Sequence, residues 1–181
     1  MKVDLQEEIV LPEGVNVDLD GSAMKVKGPK GEVNKLFAHP RVSITVDAGK
    51  VVLSSLKATK KEKVMVGTFT AHIKNMVKGV QEPFVYKLKI CSGHFPMNVS
   101  VSGNEVIIKN FLGESVPRRV TLLDGGDIKI NGTEIVITSP NKEVAGQNAA
   151  KIESLCRVTN KDIRIFQDGC YIIHKSGKNI S

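Results

Sequence analysis

No stretch of the sequence approaches the ~18 consecutive apolar residues that a membrane-spanning helix needs. The first ten residues, MKVDLQEEIV, are acidic and lack the apolar run of a signal peptide. Cysteine is sparse: Cys91, Cys156 and Cys170 are odd in number, widely spaced and form no Cys-x-x-Cys. That pattern argues for a reducing compartment and for thiols that serve mainly in packing. The expectation is an intracellular, soluble protein. In such a protein the triplets Asn98-Val99-Ser100 and Asn131-Gly132-Thr133 have no use as glycosylation sites.

Catalytic motifs are missing as well. There is no Gly-x-Ser-x-Gly elbow, His-Glu-x-x-His pair, Walker loop or Gly-x-Gly-x-x-Gly fingerprint. His39, His72, His94 and His174 share no metal-ligand spacing, and His72 lies beside a packed helical stripe where a structural role fits it. Asp124-Gly125-Gly126-Asp127 reads as a turn rather than as paired catalytic carboxylates. Gly28-Pro29-Lys30-Gly31 matches the Gly-x-x-Gly of KH-type loops, but such a loop joins two helices and this one joins two strands. It is expected to be a turn carrying Lys30, a residue able to face RNA. Cys170 and His174, four apart, would share one face of a strand with Cα atoms about 13 Å apart, too far for one metal ion or a nucleophile-base pair. Only a bulge or turn would bring them together. No cofactor, metal site or catalytic residue is therefore expected.

What is present is a 41% hydrophobic, 25% charged chain of 181 residues, enough to bury a core. Twenty-six Lys and Arg against nineteen Asp and Glu give a net charge of +7 and a pI near 9.3. A polyanionic partner fits this balance, nucleic acid first, an acidic protein or anionic membrane second. The excess is spread evenly, with 13 basic and 10 acidic side chains in residues 1–82 and 13 and 9 in residues 83–181. Lys60, Lys61 and Lys63 form the longest basic cluster and read as a solvated helix start.

The two halves resemble each other. KVKGPKGEVNKLF, SITVDAGKVVLSS and VMVGTFTAHIKNM in the first correspond to IIKNFLGESVPRRV, IKINGTEIVITS and VAGQNAAKIESLC in the second. The pairs Lys27/Lys109, Val51/Ile135 and Gly67/Gly146 are offset by 82, 84 and 79 residues, a duplicated unit of about 80 residues with small loop indels. Alternation of Val42, Ile44 and Val46 with Ser43, Thr45 and Asp47, and of Val99 and Val101 with Ser100 and Ser102, predicts strands. Ala48-Gly49 and Asn131-Gly132 supply tight turns between them. Each half should have one covering helix. In the first, Thr59-Lys60-Lys61-Glu62 reads as a capping box, followed by the stripe Val66, Phe69, Ile73, Met76, Val77 and Val80, with Gly79 placed to make the turn out. In the second, Ser139 and Pro140 read as N-cap and first-turn residues, and Ala145, Ala149, Ile152 and Cys156 face inward. The expected architecture is α+β: two tandem duplicated domains, residues 1–82 and 83–181, each a small, mainly antiparallel sheet covered by one helix.

Small alanines let the second helix lie close to its sheet and should leave Gln147, Asn148 and Lys151 on the outer side. Near a helix N-terminus that face suits a phosphate; it reads equally as a solvated surface. In the tail, alternation of Ile163 and Ile165 with Arg164 and Phe166, a turn at Gln167-Asp168-Gly169 and a returning strand at Tyr171–Ile173 predict a hairpin. Arg157, Lys161, Arg164, Lys175 and Lys178 surround it, with Tyr171 able to stack or donate.

Specific strings now narrow the reading. His94-Phe95-Pro96, Asn110-Phe111-Leu112-Gly113-Glu114, the run from Gly146 to Glu153 (GQNAAKIE) and the run from Arg164 to Ile172 (RIFQDGCYI), with Gly28-Pro29-Lys30-Gly31-Glu32, occur in order along nearly the whole chain. Together they resemble the large-subunit ribosomal protein family "L six", in its archaeal and eukaryotic branch. The resemblance implies a duplicated sheet-plus-helix fold, no catalytic role, and a second domain that makes much of the contact with large-subunit rRNA and is the main rRNA-binding domain. It implies a place near the sarcin-ricin loop and the stalk base, with neighbouring ribosomal proteins as further partners, no membrane and no obligate homo-oligomer. Carried over by position, the rRNA-binding residues are Lys142, Gln147, Asn148, Lys151, Arg157, Lys161, Arg164, Gln167, Gly169, Tyr171 and Lys175. Lys and Arg would meet phosphates, Gln and Asn sugar or base edges, and Gly169 would allow close backbone approach or a tight turn. Two other classes stay compatible with the residues: a protein-protein adaptor for an acidic partner, and a thiol enzyme using Cys170.

Overall fold

The computed structural model describes residues 3–47 and 49–180; Ala48 of the Ala48-Gly49 turn lies outside them. The chain divides into two compact units, Met1–Pro83 and Phe84–Ser181. In the first unit six strands precede one helix: β1 (Val3–Val10), β2 (Asn16–Asp20), β3 (Ala23–Gly28), β4 (Gly31–Leu36), β5 (Ser43–Asp47), β6 (Lys50–Ala58) and α1 (Lys60–Gln81). In the second, β7 (Phe84–Cys91), β8 (Asn98–Ser102), β9 (Glu105–Lys109), β10 (Arg118–Thr121), β11 (Asp127–Asn131) and β12 (Glu134–Ser139) precede α2 (Lys142–Leu155). Strands β13 (Gly169–Lys175) and β14 (Lys178–Asn179) follow it.

The duplication is visible in the strand order. The sheets β1-β6-β5 and β2-β3-β4 of the first unit reappear as β7-β12-β11 and β8-β9-β10 in the second. All these pairings are antiparallel. What the second repeat adds is β13, which pairs antiparallel with β7 and extends that sheet to five strands, β11-β12-β7-β13-β14. Each unit therefore divides its strands between two sheets, and its helix closes the core between them.

Strand alternation decides which side chains enter that core. In β12, Ile135 and Ile137 are buried opposite Leu88 and Tyr86 of β7, while Val136 and Lys87 point to the other face. On α1, Val66, Phe69, Ile73, Met76, Val77 and Val80 are all buried, as the 3.6-residue period requires, and Phe37 meets Phe69 edge-on with centroids 5.1 Å apart. The capping box is formed: the Glu62 carboxylate accepts from the Thr59 N–H at 2.8 Å and from the Thr59 hydroxyl.

Two helix ends differ from the sequence reading. Gly79 does not turn the chain out of α1, because the helix continues to Gln81 and Gly79 is buried inside it; extended Glu82 ends the helix before Pro83. The α2 N-cap is Asn141, whose side chain accepts from the Glu143 N–H at 2.9 Å, and not Ser139-Pro140. Ser139 closes β12 instead. Its buried hydroxyl donates to Gly125 O at 2.6 Å and accepts from Asn141 N–H at 3.1 Å, so it is already committed. The inward stripe of Ala145, Ala149, Ile152 and Cys156 is buried as expected.

Candidate nucleic-acid interface

Helix α2 packs on one face of the five-stranded sheet, against β7, β12 and β13. Gly146 makes that approach possible, since a Cβ there would stand 3.3 Å from the Tyr86 hydroxyl. No basic residue occupies the last turn of α2. A cation comes from β10: Arg118 donates to Leu155 O at 2.7 Å and Arg157 O at 3.1 Å, at the negative end of the helix dipole. The same guanidinium pairs with both carboxylate oxygens of Glu114 (2.8 and 2.6 Å) and lies 4.2 Å from the Phe111 ring centroid. Its hydrogen bond to Arg118 holds the Glu114 carboxyl below its usual range.

The residues expected to bind sort into two groups along α2. Lys142 stands at the N-terminal end, its ammonium 5.7 Å from the Phe84 ring, and Lys175 is at the same end through its pairing with Tyr86. Arg157, Lys161, Arg164, Gln167, Gly169 and Tyr171 gather at the other end, about 20 Å away over fourteen helical residues. Between them Gln147 is exposed on the outer face and half-buried Lys151 donates to Thr121 O at 3.1 Å.

Asn148 does not belong to that surface. It has no exposed area, its Oδ1 accepts from Leu123 N–H at 2.8 Å and its Nδ2 donates to Leu123 O at 3.0 Å. Helical spacing puts position 148 on the buried side with Ala145, Ala149 and Ile152, and the strap after β10 presents an N–H and a C=O that an amide alone can match.

The tail hairpin also needs correction. Ile163 to Ile165 form a turn, not a strand. Asp162 captures the following N–H groups: its side chain accepts from Arg164 N at 3.0 Å and its carbonyl from Ile165 N at 3.1 Å and Phe166 N at 2.9 Å. The Arg164 guanidinium turns back on Asp162 at 2.8 Å while staying 86% exposed. Gln167-Asp168-Gly169 is no turn either, because Gly169 opens β13 opposite Cys91. Gly169 serves the close approach of a ring: a Cβ there would meet the Tyr171 ring at 3.1–3.2 Å. The Tyr171 hydroxyl donates to Gln167 O at 3.1 Å and Gln167 Nε2 to Arg164 O at 3.1 Å, so the segment is tied residue to residue.

Cys170 and His174 part company for a reason that strand spacing alone misses. A register shift between Ile172 and His174 puts Cys170 opposite Ile90 but His174 opposite Lys87, on the other face of the sheet. Cys170 is buried; its hydrogen bond with Cys156, and then burial itself, push its thiol well above the ordinary range, the reverse of what a nucleophile needs. His174 Nδ1 lies 3.2 Å from Val85 O. Among the described residues no group of three or more His, Cys, Asp or Glu could hold a metal ion, and no helix is long and apolar enough to cross a membrane.

One functional-looking assembly escaped the sequence reading. Asp168, 3% exposed, accepts from Gly93 N at 2.6 Å and His94 N at 3.2 Å, and its Oδ1 is 3.3 Å from His94 Nδ1. Burial acts to raise its pKa, but the N–H bonds from Gly93 and His94 outweigh it and hold the carboxyl below its usual range. The His94 ring stacks on Phe166 with centroids 4.8 Å apart, and Lys161 stands 4.7 Å from the Phe166 centroid on its own account. His94 and Asp168 are 74 residues apart, so no local pattern links them.

Comparison with known proteins fits this architecture. A sequence model of the family described as ribosomal protein L6 matches residues 11–83 and 95–169, one match in each repeat. The large ribosomal subunit protein uL6 of Nanoarchaeum equitans (strain Kin4-M) is 45% identical over 184 residues, covering 97% of this chain and 96% of that protein. The protein of the same name from Methanococcus vannielii is 45% identical over 174 residues, covering 96% of each. With both repeats matched and relatives aligned nearly end to end, the chain belongs to the ribosomal protein L6 family of the large ribosomal subunit, a family of structural proteins rather than enzymes.

Proposed function

We propose that the protein binds large-subunit rRNA near the sarcin-ricin loop and the stalk base, supporting the region where translation factors dock, with residues 83–181 as its main rRNA-binding domain. The observation that carries this reading is the family match across both repeats. The geometry supports it: basic groups stand at both ends of α2, with exposed Gln147 between them, and flat or polar side chains accompany the cations at the β13 end. In this reading Lys142, Lys151, Arg157, Lys161, Arg164 and Lys175 meet phosphates, while Gln147, Gln167 and Tyr171 meet sugars or bases. Asn148 supports the interface from beneath. The protein is ribosome-bound in the cytoplasm, with stalk-base proteins as neighbours.

The test is binding of the full chain to an rRNA fragment that carries the sarcin-ricin loop and the stalk-base helices, measured at several salt concentrations. Log affinity should fall linearly with log salt, by about 0.9 per phosphate contacted. Affinity that is absent, or that is indifferent to salt, contradicts the reading.

A further inference from the structure

At the β13 end of the second unit a cavity of about 730 Å³ opens between the loop Cys91–His94 and the segment Ile165–Tyr171. Register places it on the sheet face away from α2, because Gly169 pairs with Cys91 and Tyr171 with Lys89, whereas Cys170 shares the helix face with Ile90 and Leu88. Its walls are flat and apolar where Tyr171, 43% exposed, and Ile165, 62% exposed, line it. Gly93 leaves backbone where a side chain would narrow it, since a Cβ there would stand 3.2 Å from Asp168 Oδ1. Its floor holds the Asp168 carboxylate. Three contacts fall on Oδ1, from Gly93 N, His94 N and His94 Nδ1, while Oδ2 has one, at 3.2 Å from His94 N.

Resting on the rRNA-binding reading above, we infer that this cavity takes one unpaired nucleobase of the bound RNA, with guanine preferred. An anionic floor repels a phosphate, so the cavity does not duplicate the cationic sites around it. A base, by contrast, can stack on the Tyr171 ring while its edge faces the carboxylate. Guanine alone presents two adjacent N–H donors, N1–H and N2–H, on its Watson–Crick edge, and both can converge on Oδ2, the oxygen that carries a single contact. Lys89, paired across the ladder with Tyr171 and so on the same sheet face, is the cation placed to meet a flanking phosphate of a splayed-out nucleotide.

Two experiments on the full chain test this. In the first, ¹⁵N-labelled protein is titrated with GMP, AMP, CMP, UMP and inorganic phosphate in turn. GMP should shift the amides of Gly93, His94, Gln167 and Tyr171 most, and phosphate should leave them in place. Equal shifts with phosphate, or no shift with any nucleotide, overturn the inference. In the second, Ser92→Trp fills the cavity from its exposed wall, and rRNA affinity should fall about tenfold with the salt slope unchanged, as expected for loss of a stacked base rather than of a phosphate contact. Unchanged affinity in Ser92→Trp, with wild type binding, overturns the cavity assignment alone; failure of wild type to bind overturns the rRNA reading itself.

Discussion

Asn148→Ala separates a binding role from a structural one more sharply than any other change in α2. The substitution removes an amide with no exposed area and strands both Leu123 N–H and Leu123 C=O, held at 2.8 and 3.0 Å. An unsatisfied buried donor or acceptor costs about 1–3 kcal/mol. Leu123 is only half-buried, so water can reach part of this backbone, and a total of about 2–4 kcal/mol follows. For a unit of this size that lowers the unfolding midpoint by roughly 10–20 °C. Asn148→Asp should be at least as harmful, since it keeps an acceptor for Leu123 N–H but sets an oxygen against Leu123 C=O and buries a charge. Gln147→Ala, one position away and exposed, should change stability by less than about 0.5 kcal/mol. Thermal unfolding by circular dichroism, with rRNA affinity measured well below the midpoint, reads both quantities. Asn148→Ala that is as stable as Gln147→Ala, or that loses rRNA affinity while keeping its stability, refutes the placement of this side chain.

Arg118→Ala should destabilise the second unit by about 2–3 kcal/mol, because it uncaps two carbonyls at the end of α2 and strips the Phe111 face; denaturant unfolding measures it, and Arg118→Lys should recover only part. Gly28→Ala places a Cβ 2.7 Å from Val80 Cγ2 and 2.9 Å from Val80 O, so the turn must lift from α1, with a loss of about 1–3 kcal/mol in the same assay. Thr59→Ala should cost the first unit about 1 kcal/mol through the N-cap. Hydrogen bonds from the Thr59 hydroxyl and then its N–H hold the Glu62 carboxyl at about 2. Because this folded pKa lies below the ordinary 4.5, its contribution is complete above pH 4.5 and is lost as pH falls from there through about 2. The unfolding midpoint of Glu62→Gln should therefore vary less with pH in that window than that of the wild type.

Local periodicity carried the helices and most of the strands, because the buried stripe of α1 and the alternation in β5 and β8 are set by residues within a few positions of one another. The duplication was legible for the same reason. Failures came where distant residues decide. Asn148 looked like a surface amide until the backbone of Leu123, 25 residues earlier, claimed it. The Ile163–Phe166 alternation has strand period, yet Asp162 takes the N–H groups a ladder would need, and β13 finds its partner in β7, more than 70 residues back. A bulge then reverses the face on which His174 emerges, which no count of residues reveals. The Arg118 cap on α2 and the Asp168-His94 lock have the same character: both join segments that only the closed fold brings together.

Footprinting in a reconstituted large subunit tests the central claim most directly. Hydroxyl-radical cleavage of large-subunit rRNA, with and without the full-length chain, should show protections clustered at the sarcin-ricin loop and the stalk-base helices, weakened there by charge-removing changes at Arg157, Lys161 and Arg164. A bound chain that leaves both regions equally cleaved, and protects rRNA elsewhere or not at all, would contradict the account.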